Sequence, residues 1–408
     1  MESLKADKIR ETATGPIAIV GDGPVGLLTA CLLARHHPVC RIGQSKGSAR
    51  PGTDPRLYAL SATSLNLLER LGIYSELGPV RCRVFSALEI WIHRHRSRLR
   101  FSAEDIGGGL LGATVWARDL LPALESVAQA SGITRLEGHP DQIERTGDGW
   151  RLTGSGKDGE MPLLVVAEGG DSRLREREGV LLDIHDYGES AVTGWCVPER
   201  EGGDVLRQVF TPWGPLGLLP APGGGLSFVW SMPNPVVHRW LVRKPEDWAQ
   251  LIEEATEGFY GRIQLSAAPH AFPLRRQVAR RYVAERFALV GDAAHVIHPF
   301  AGQGLNLGFL DAGVLVGRLA RAVCHSGPVP WDVALEGYDR NRRGANLRFL
   351  AGLEALRLFF RGHDPLGWRD QALAVLARCR LLRRPWIAMA AGHGSRRLLR
   401  DRNPIRVA

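Results

Sequence analysis

Residues 290–313 read VGDAAHVIHPFAGQGLNLGFLDAG and concentrate side chains that core packing does not ask for. An apolar strand, Phe287 to Val290, runs into Gly291-Asp292. Two histidines and Pro299 follow, and then Gly302-Gln303-Gly304-Leu305-Asn306 opens a helix expected over about 305–320. A glycine-rich turn that opens a helix presents unpaired backbone N–H groups and the positive end of the helix dipole, which suits an anion. Asp292 brings a carboxylate to the same turn, able to hold hydroxyls or to cap a helix. His295 is expected to pack under the loop and hydrogen-bond its backbone, while His298 is the candidate for a proton path. The H-x-x-H spacing on a turn, without a third ligand, gives no metal site.

A second anion signal lies near the N-terminus. PIAIVGDGPVGLLTACLLARHHPVCRIGQ starts with an apolar strand, Ile17 to Val20, and continues through Gly21-Asp22-Gly23-Pro24-Val25-Gly26 into an apolar helical run. This is G-x-G-x-x-G between strand and helix, the context that gives the pattern its meaning. Gly21 makes the turn, Gly23 lets the backbone approach a pyrophosphate, and Gly26 lets helix and strand pack closely. The next strand, Val39 to Ile42, should end in an acid that holds ribose hydroxyls, but Gly43-Gln44 stands there and no carboxylate occurs before Asp54. Gln44 offers a neutral amide in its place.

A third segment, LLVVAEGGDSRLRE, is a strand from Leu163 to Val166 followed by Ala167-Glu168-Gly169, Ser172 and Arg175. Together the three resemble the flavin-dependent aromatic hydroxylases, with their N-terminal GxGxxG, middle A-D-G-x-x-S-x-x-R and late G-D-A-A-H…P…G-Q-G-x-N. Glu168 replaces the usual Asp and keeps the carboxylate on a longer arm. DPRLYALSATSLNLLERLGIY, FTPWGPLGLLP, FPLRRQVARRYVAERFALVGDAAHVIHPFAGQGLNLG and YDRNRRGANLRFLAGLEALRLFF narrow the resemblance to the ubiquinone-biosynthesis hydroxylases, over roughly residues 15–395.

The resemblance implies an α/β fold: a Rossmann-like FAD-binding domain, an antiparallel sheet forming the substrate domain, and a helical C-terminal region. It implies FAD held by Gly21, Gly23, Gly26, Gln44, Arg56, Arg118, Glu168, Gly291, Asp292, Pro299 and Gly302 through Asn306. Arg56 and Arg118 would reach the ribityl–phosphate side, and Asp292 the ribityl hydroxyls. Catalysis would rest on Pro299, Gly302 and His298. Reduced flavin is an anion at its N1 and C2 oxygen edge, which a helix N-terminus favours. Glycines at 302 and 304 would let the backbone lie flat on the ring, and Pro299 would remove one N–H from the face where oxygen reacts. The implied activity is hydroxylation of a polyprenyl-phenol ring through a flavin C4a-hydroperoxide, with O2 and with NAD(P)H or a ferredoxin-type donor. The alternatives are a hydroxylase of a soluble phenolic or polycyclic metabolite, and a non-catalytic flavoprotein-like scaffold in a quinone-biosynthesis complex.

These elements divide the chain into a discontinuous FAD-binding domain over 1–85, 105–180 and 283–330, a substrate sheet over 86–104 and 181–282, and a helical region with a basic tail over 331–408. Trp91, Phe210, Trp213, Phe228 and Trp230 are candidates for the substrate channel, against the plainer expectation of sheet core. Composition fits a globular chain of 408 residues, with 44% apolar and 23% charged residues. The net charge of +9 fits an anionic cofactor or lipid surface, and no aromatic-basic interleaving points to nucleic acid. Nine arginines and one acid, Asp401, occupy the final 31 residues, a composition suited to peripheral contact with anionic lipid. Six scattered cysteines, an N-terminus without an apolar signal segment and no long apolar run together predict a cytoplasmic chain, peripheral at most to the inner face of the membrane.

Overall fold

A computed structural model describes residues 15–43, 55–95, 97–106, 109–147, 149–153, 160–298, 302–324, 331–360 and 368–378. Gln44, Pro299 and almost all of the basic tail lie outside these residues.

The apolar run Ile17–Val20 is flanked by two others, Val39–Gly43 and Leu164–Val166, and all three pair in parallel. Phe287–Leu289 and Thr134–Glu137 extend the same parallel sheet on either side, and Val283–Ala284 closes one edge antiparallel. The strands are buried on both faces, as continuous apolar runs in a parallel sheet require. The helix Pro24–Leu33 packs against the helix Gly304–Cys324 and buries Leu27, Leu28, Leu32 and Leu33 completely or nearly so. Its proline falls in the first turn, where the missing N–H costs nothing.

The second large sheet has nine strands. Leu182–Pro198, Val205–Thr211, Gly214–Pro220 and Leu226–Pro233 supply its centre, with His270–Ala279 beside the first of them. Ala87–Ile92 and Arg98–Ser102 add the hairpin from the earlier segment. The expectation of a purely antiparallel sheet is corrected at one seam, because Ala87–Ile92 runs parallel to Val205–Thr211. The chain between them passes through the nucleotide half, so no hairpin constrains their relative direction. His295–Val296, just after the Gly-Asp turn, also pairs with His270–Ala279 and stitches the two sheets together.

Alternation along these strands decides which face meets the core. Phe228 and Trp230 point to one side with Trp91, Leu216 and Leu218, fully buried beneath the helices Asn234–Trp240 and Pro245–Ala255. Phe210 is buried in a separate cluster with Leu307, Leu310 and Leu350. Trp213 packs on Trp230 and Trp240 at the edge of the covered core. The plainer reading of the five aromatics therefore holds: they pack as core. The long helix Trp331–Phe360 packs along Gly304–Cys324, and Trp368–Arg378 follows against the Arg98–Ser102 strand.

Candidate functional site

Where the carboxyl ends of the parallel strands face the second sheet, a cavity of about 740 Å³ opens. Three separate stretches of sequence meet on one wall: Gly21 to Val25, Ala167 to Gly169, and Asp292 with Gly302 to Leu305. Arg56, Tyr58 and Ser61 close one side, and Thr193, Leu206, Gln208, Pro215, Gly217, Ser227 and Ser231 line the opposite wall. The position beyond the carboxyl ends of parallel strands is where open α/β sheets bind ligands.

Gly21 adopts φ +121°, and a Cβ there would lie 2.3 Å from the carbonyl oxygen of Ala167. No other residue fits that turn. A Cβ on Gly26 would meet the Gly21 carbonyl oxygen at 2.2 Å, so this glycine serves helix–strand packing and does not line the cavity. A Cβ on Gly23 would have nothing within 4 Å, which leaves its backbone open to an approaching group.

Gly302 has φ +64°, a left-handed conformation that favours glycine, yet a Cβ there would meet only Ala59 at 3.6 Å. At Gly304 a Cβ would find only Ile297, at 3.9 Å. The need for glycine at 302 is therefore set by the backbone and not by crowding from the protein itself. Asn306 does not line the cavity. Its side-chain oxygen accepts from the Ser61 amide (2.8 Å) and the Ser64 hydroxyl (2.7 Å), while its nitrogen donates to the Ala59 carbonyl (2.9 Å). It fastens the glycine turn to the strand Leu57–Ser61 and spends its whole amide doing so.

Asp292 faces the cavity, open to solvent there but walled by protein on its other sides. That desolvation pushes its carboxyl above the ordinary range, partly offset by attraction to His295 and Arg56. Glu168 borders the cavity with its carboxylate committed locally, accepting from the Ser172 hydroxyl (2.6 Å) and the Leu174 amide (3.1 Å) at the start of the helix Arg173–Arg177. Arg175, on that helix, donates to the Ala293 carbonyl (3.2 Å) and so ties the middle motif to the late one.

Three more of the expected site residues lie outside the cavity lining. Arg118 lies exposed over the Trp116 ring, 4.7 Å from its centroid, and is not part of the cavity lining. Gly291 lies behind the lining, its amide donating to Asp311 (3.1 Å). His298 is buried away from the cavity, edge-on to Tyr187 and 3.6 Å from Glu189, because the short strand His295–Val296 carries the chain off under the second sheet.

His295 bonds a carboxylate where a backbone contact was expected. Its Nε2 lies 2.6 Å from Asp311, whose other oxygen accepts from Arg342 (2.7 Å). Arg342 continues to Asn346 (2.7 Å). Burial works to raise the Asp311 carboxyl, but attraction and hydrogen bonds from His295 and Arg342 outweigh it and hold the group below its ordinary range. Sequence reasoning missed Asp311, although a lone acid inside the apolar run GFLDAGVLVG is a visible signal. It also missed Gln208, Ser227 and Ser231, which belong to no motif.

Among the described residues no group of three His, Cys, Asp or Glu is arranged to hold a metal ion, and no helix is long and apolar enough to cross a membrane. Cys31, Cys40, Cys82 and Cys196 are buried and unpaired with one another; burial pushes Cys31, Cys82 and Cys196 up to about 12 and Cys40 to about 11, leaving them inert.

The cavity suits a dinucleotide: its size is that of a ligand site of about 300–1,000 Å³, and two helix N-termini and an open glycine backbone border it. Comparison with known proteins agrees. Residues 14–345 match the family described as FAD binding domain. The chain is 32% identical over 394 residues to 3-demethoxyubiquinol 3-hydroxylase of Escherichia coli, covering 92% of this chain and 98% of that one. It is 31% identical over 400 residues to ubiquinone hydroxylase UbiL of Rhodospirillum rubrum, covering 93% and 92%. The crystal structure of p-nitrophenol 4-monooxygenase PnpA from Pseudomonas putida superposes with a TM-score of 0.73 at 16% identity, over 92% of this chain and 97% of that one, which shows a shared fold.

Proposed function

The chain belongs to the FAD binding domain family, and we propose that it is an FAD-dependent monooxygenase that hydroxylates the aromatic ring of a polyprenyl-phenol precursor of ubiquinone. The observation that carries this reading is the meeting of Gly21–Gly23, Asp292 and Gly302–Leu305 on one wall of a cavity whose other wall is a sheet.

When bound, FAD supplies the oxygen-activating chemistry. The chain's own residues supply position and charge. The Gly21–Gly23 turn and the first amides of Pro24–Leu33 would hold the diphosphate. Arg56 would neutralise charge beside it, and Asp292 would accept from polyol hydroxyls. The turn at Gly302 opens the 21-residue helix Gly304–Cys324, whose first amides and positive end border the cavity and would favour a flavin that becomes anionic on reduction. Across the cavity Leu206, Pro215, Gly217 and Leu219 offer an apolar face to the ring and keep water from it, while Gln208, Ser227 and Ser231 set separate polar groups along that wall, one of which would meet the phenolic oxygen. Electrons come from NAD(P)H or a ferredoxin-type protein, and O2 supplies the inserted atom. The division into FAD-binding, sheet and helical regions follows the segments given above. The basic C-terminal tail brings the enzyme to anionic lipid at the inner face of the membrane, where a polyprenyl substrate resides and a quinone-biosynthesis complex would assemble.

A deletion strain provides the test. Lipid extracts should accumulate a prenylated precursor that disappears when the chain is restored. Normal ubiquinone together with an accumulating water-soluble phenol would overturn the substrate assignment, and purified protein that takes up no flavin would overturn the cofactor.

A further inference from the structure

The strand Val39–Gly43 lacks the acid that its position calls for, yet a carboxylate occupies the space where that acid would begin. Val20 pairs with Ile42, so Gly43 stands beside the glycine turn at the carboxyl edge of the sheet. A Cβ built on Gly43 would lie 2.0 Å from Oδ2 of Asp22 and 2.7 Å from its Oδ1. The Asp22 side chain, 21% exposed, reaches across from the first glycine loop into the volume that a residue at position 43 would fill, and it borders the cavity. A side chain at 43 and the Asp22 carboxylate in this place exclude one another.

The surroundings equip Asp22 for a ligand and not only for the fold. Arg135 donates to Oδ2 at 3.0 Å, while Oδ1 is buried and makes no hydrogen bond among the described residues. Arg41 lies 4.0 Å from Oδ1, but its guanidinium is spent on two bonds to Glu125, at 2.8 and 2.9 Å. These two arginines offset the negative charge, so a carboxylate so close to a diphosphate site is tolerated. The side chain as a whole is part-exposed at the cavity edge, so the carboxylate keeps an accessible face on which a ligand hydroxyl can donate. Vicinal hydroxyls are donors of the right kind.

We propose that Asp22 is the ribose-binding acid of this chain, accepting from the adenosine 2′- and 3′-hydroxyls of FAD, and that Gly43 is bare because Asp22 has taken its place. The proposal rests on the FAD reading above, and deepens it by moving the ribose contact from the end of the second strand, and from Gln44, to the glycine loop.

The test measures recognition of ribose apart from turnover. FAD affinity of the full-length protein is read by flavin fluorescence, and ADP and 2′,3′-dideoxy-ADP are compared as competitors. Wild type should prefer ADP about tenfold or more, the worth of hydrogen bonds to a charged acceptor. In Asp22→Ala that preference should vanish and FAD affinity fall by a similar factor; Asp22→Asn should reduce both partially. Gly43→Ala should reproduce the loss by displacing the carboxylate, and Gly43→Glu in the Asp22→Ala background should restore the preference. Unfolding midpoints of the same proteins identify any variant that fails to fold, in which case Asp22→Asn and Gly43→Ala decide. Retention of the ADP preference in folded Asp22 variants, or its loss in Gln44→Ala alone, overturns the proposal while leaving FAD binding intact. Wild type that binds no FAD would instead overturn the reading on which it rests.

Discussion

On the nucleotide side of the cavity Gly21, Gly23 and Gly302 present bare backbone, with side chains such as Asn306 and Glu168 turned away to hold the loops in shape. Across from them Gln208, Ser227 and Ser231 project side chains from the middle of a sheet whose reverse face is packed with Trp91, Phe228 and Trp230. On the proposed function the first wall would meet what is common to a cofactor, its phosphates and its anionic edge, largely through backbone amides helped by Arg56 and Asp292. The second would meet the substrate, through side chains. Substitutions should therefore be catastrophic on the first wall and selective on the second.

The sharpest test is Gly21→Val. The added side chain would collide with the Ala167 carbonyl at a φ that valine does not adopt. We expect protein without bound flavin and with a large loss of stability; purification of a flavin-loaded, normally stable variant would break the comparison.

Next in size is the buried brace beneath the wall. Asp311→Ala leaves Arg342 charged and unpaired in the interior, which costs about 3–5 kcal/mol. Unfolding in denaturant should show it. Because the folded carboxyl lies below its unfolded value of about 3.9, its contribution is complete above that pH and is lost as pH falls through the lower folded value. The wild type should therefore lose stability faster than Asp311→Asn under acid. A parallel decline would show that the carboxylate is not braced as described.

The second wall predicts a different signature. A Cβ on Gly217 meets nothing nearer than 3.7 Å, so Gly217→Leu begins without a clash and should project its side chain into the cavity. FAD affinity should stay at the wild-type level, while kcat/KM for ring hydroxylation falls about tenfold to a hundredfold, the scale of an overpacked site. Weaker FAD binding without that fall would mean that the two walls are not separable.

The same contrast explains what could be read from the sequence. Gly-x-Gly turns and Gly-Asp are local, so Ile17–Val20, Leu164–Val166 and Phe287–Leu289 were legible within a residue or so, and so was the start of the helix at Gly304, though its end lies four residues beyond the expected one. The sheet wall obeys an equally plain alternation, Ser227-Phe228-Val229-Trp230-Ser231. Which phase faces the cavity depends on where Asn234–Trp240 and Pro245–Ala255 settle, and that is a tertiary fact. Parallel pairing of Ala87–Ile92 with Val205–Thr211 joins segments with no local bond between them. His298 lies off the cavity for a related reason: proximity in sequence to the glycine turn did not survive the crossing of His295–Val296 into the other sheet.

The smallest expected effect concerns Arg118, and it tests whether motif spacing or geometry is the better guide. By its position in VWARDLLPAL the residue should reach the cofactor, yet its guanidinium lies exposed on Trp116, whose own indole N–H donates to the Pro222 carbonyl at 3.4 Å. An exposed cation over an aromatic face is worth about 0.5–1 kcal/mol. Arg118→Ala should shift stability by no more than that and change FAD affinity less than about twofold, since 1.4 kcal/mol would be needed for tenfold. Arg56→Ala, which removes a cation that lines the cavity and acts on Asp292, should weaken FAD binding clearly in the same titration. Equal losses from the two would place the cofactor further toward Trp116 than the cavity extends and would move the boundary of the backbone-built wall.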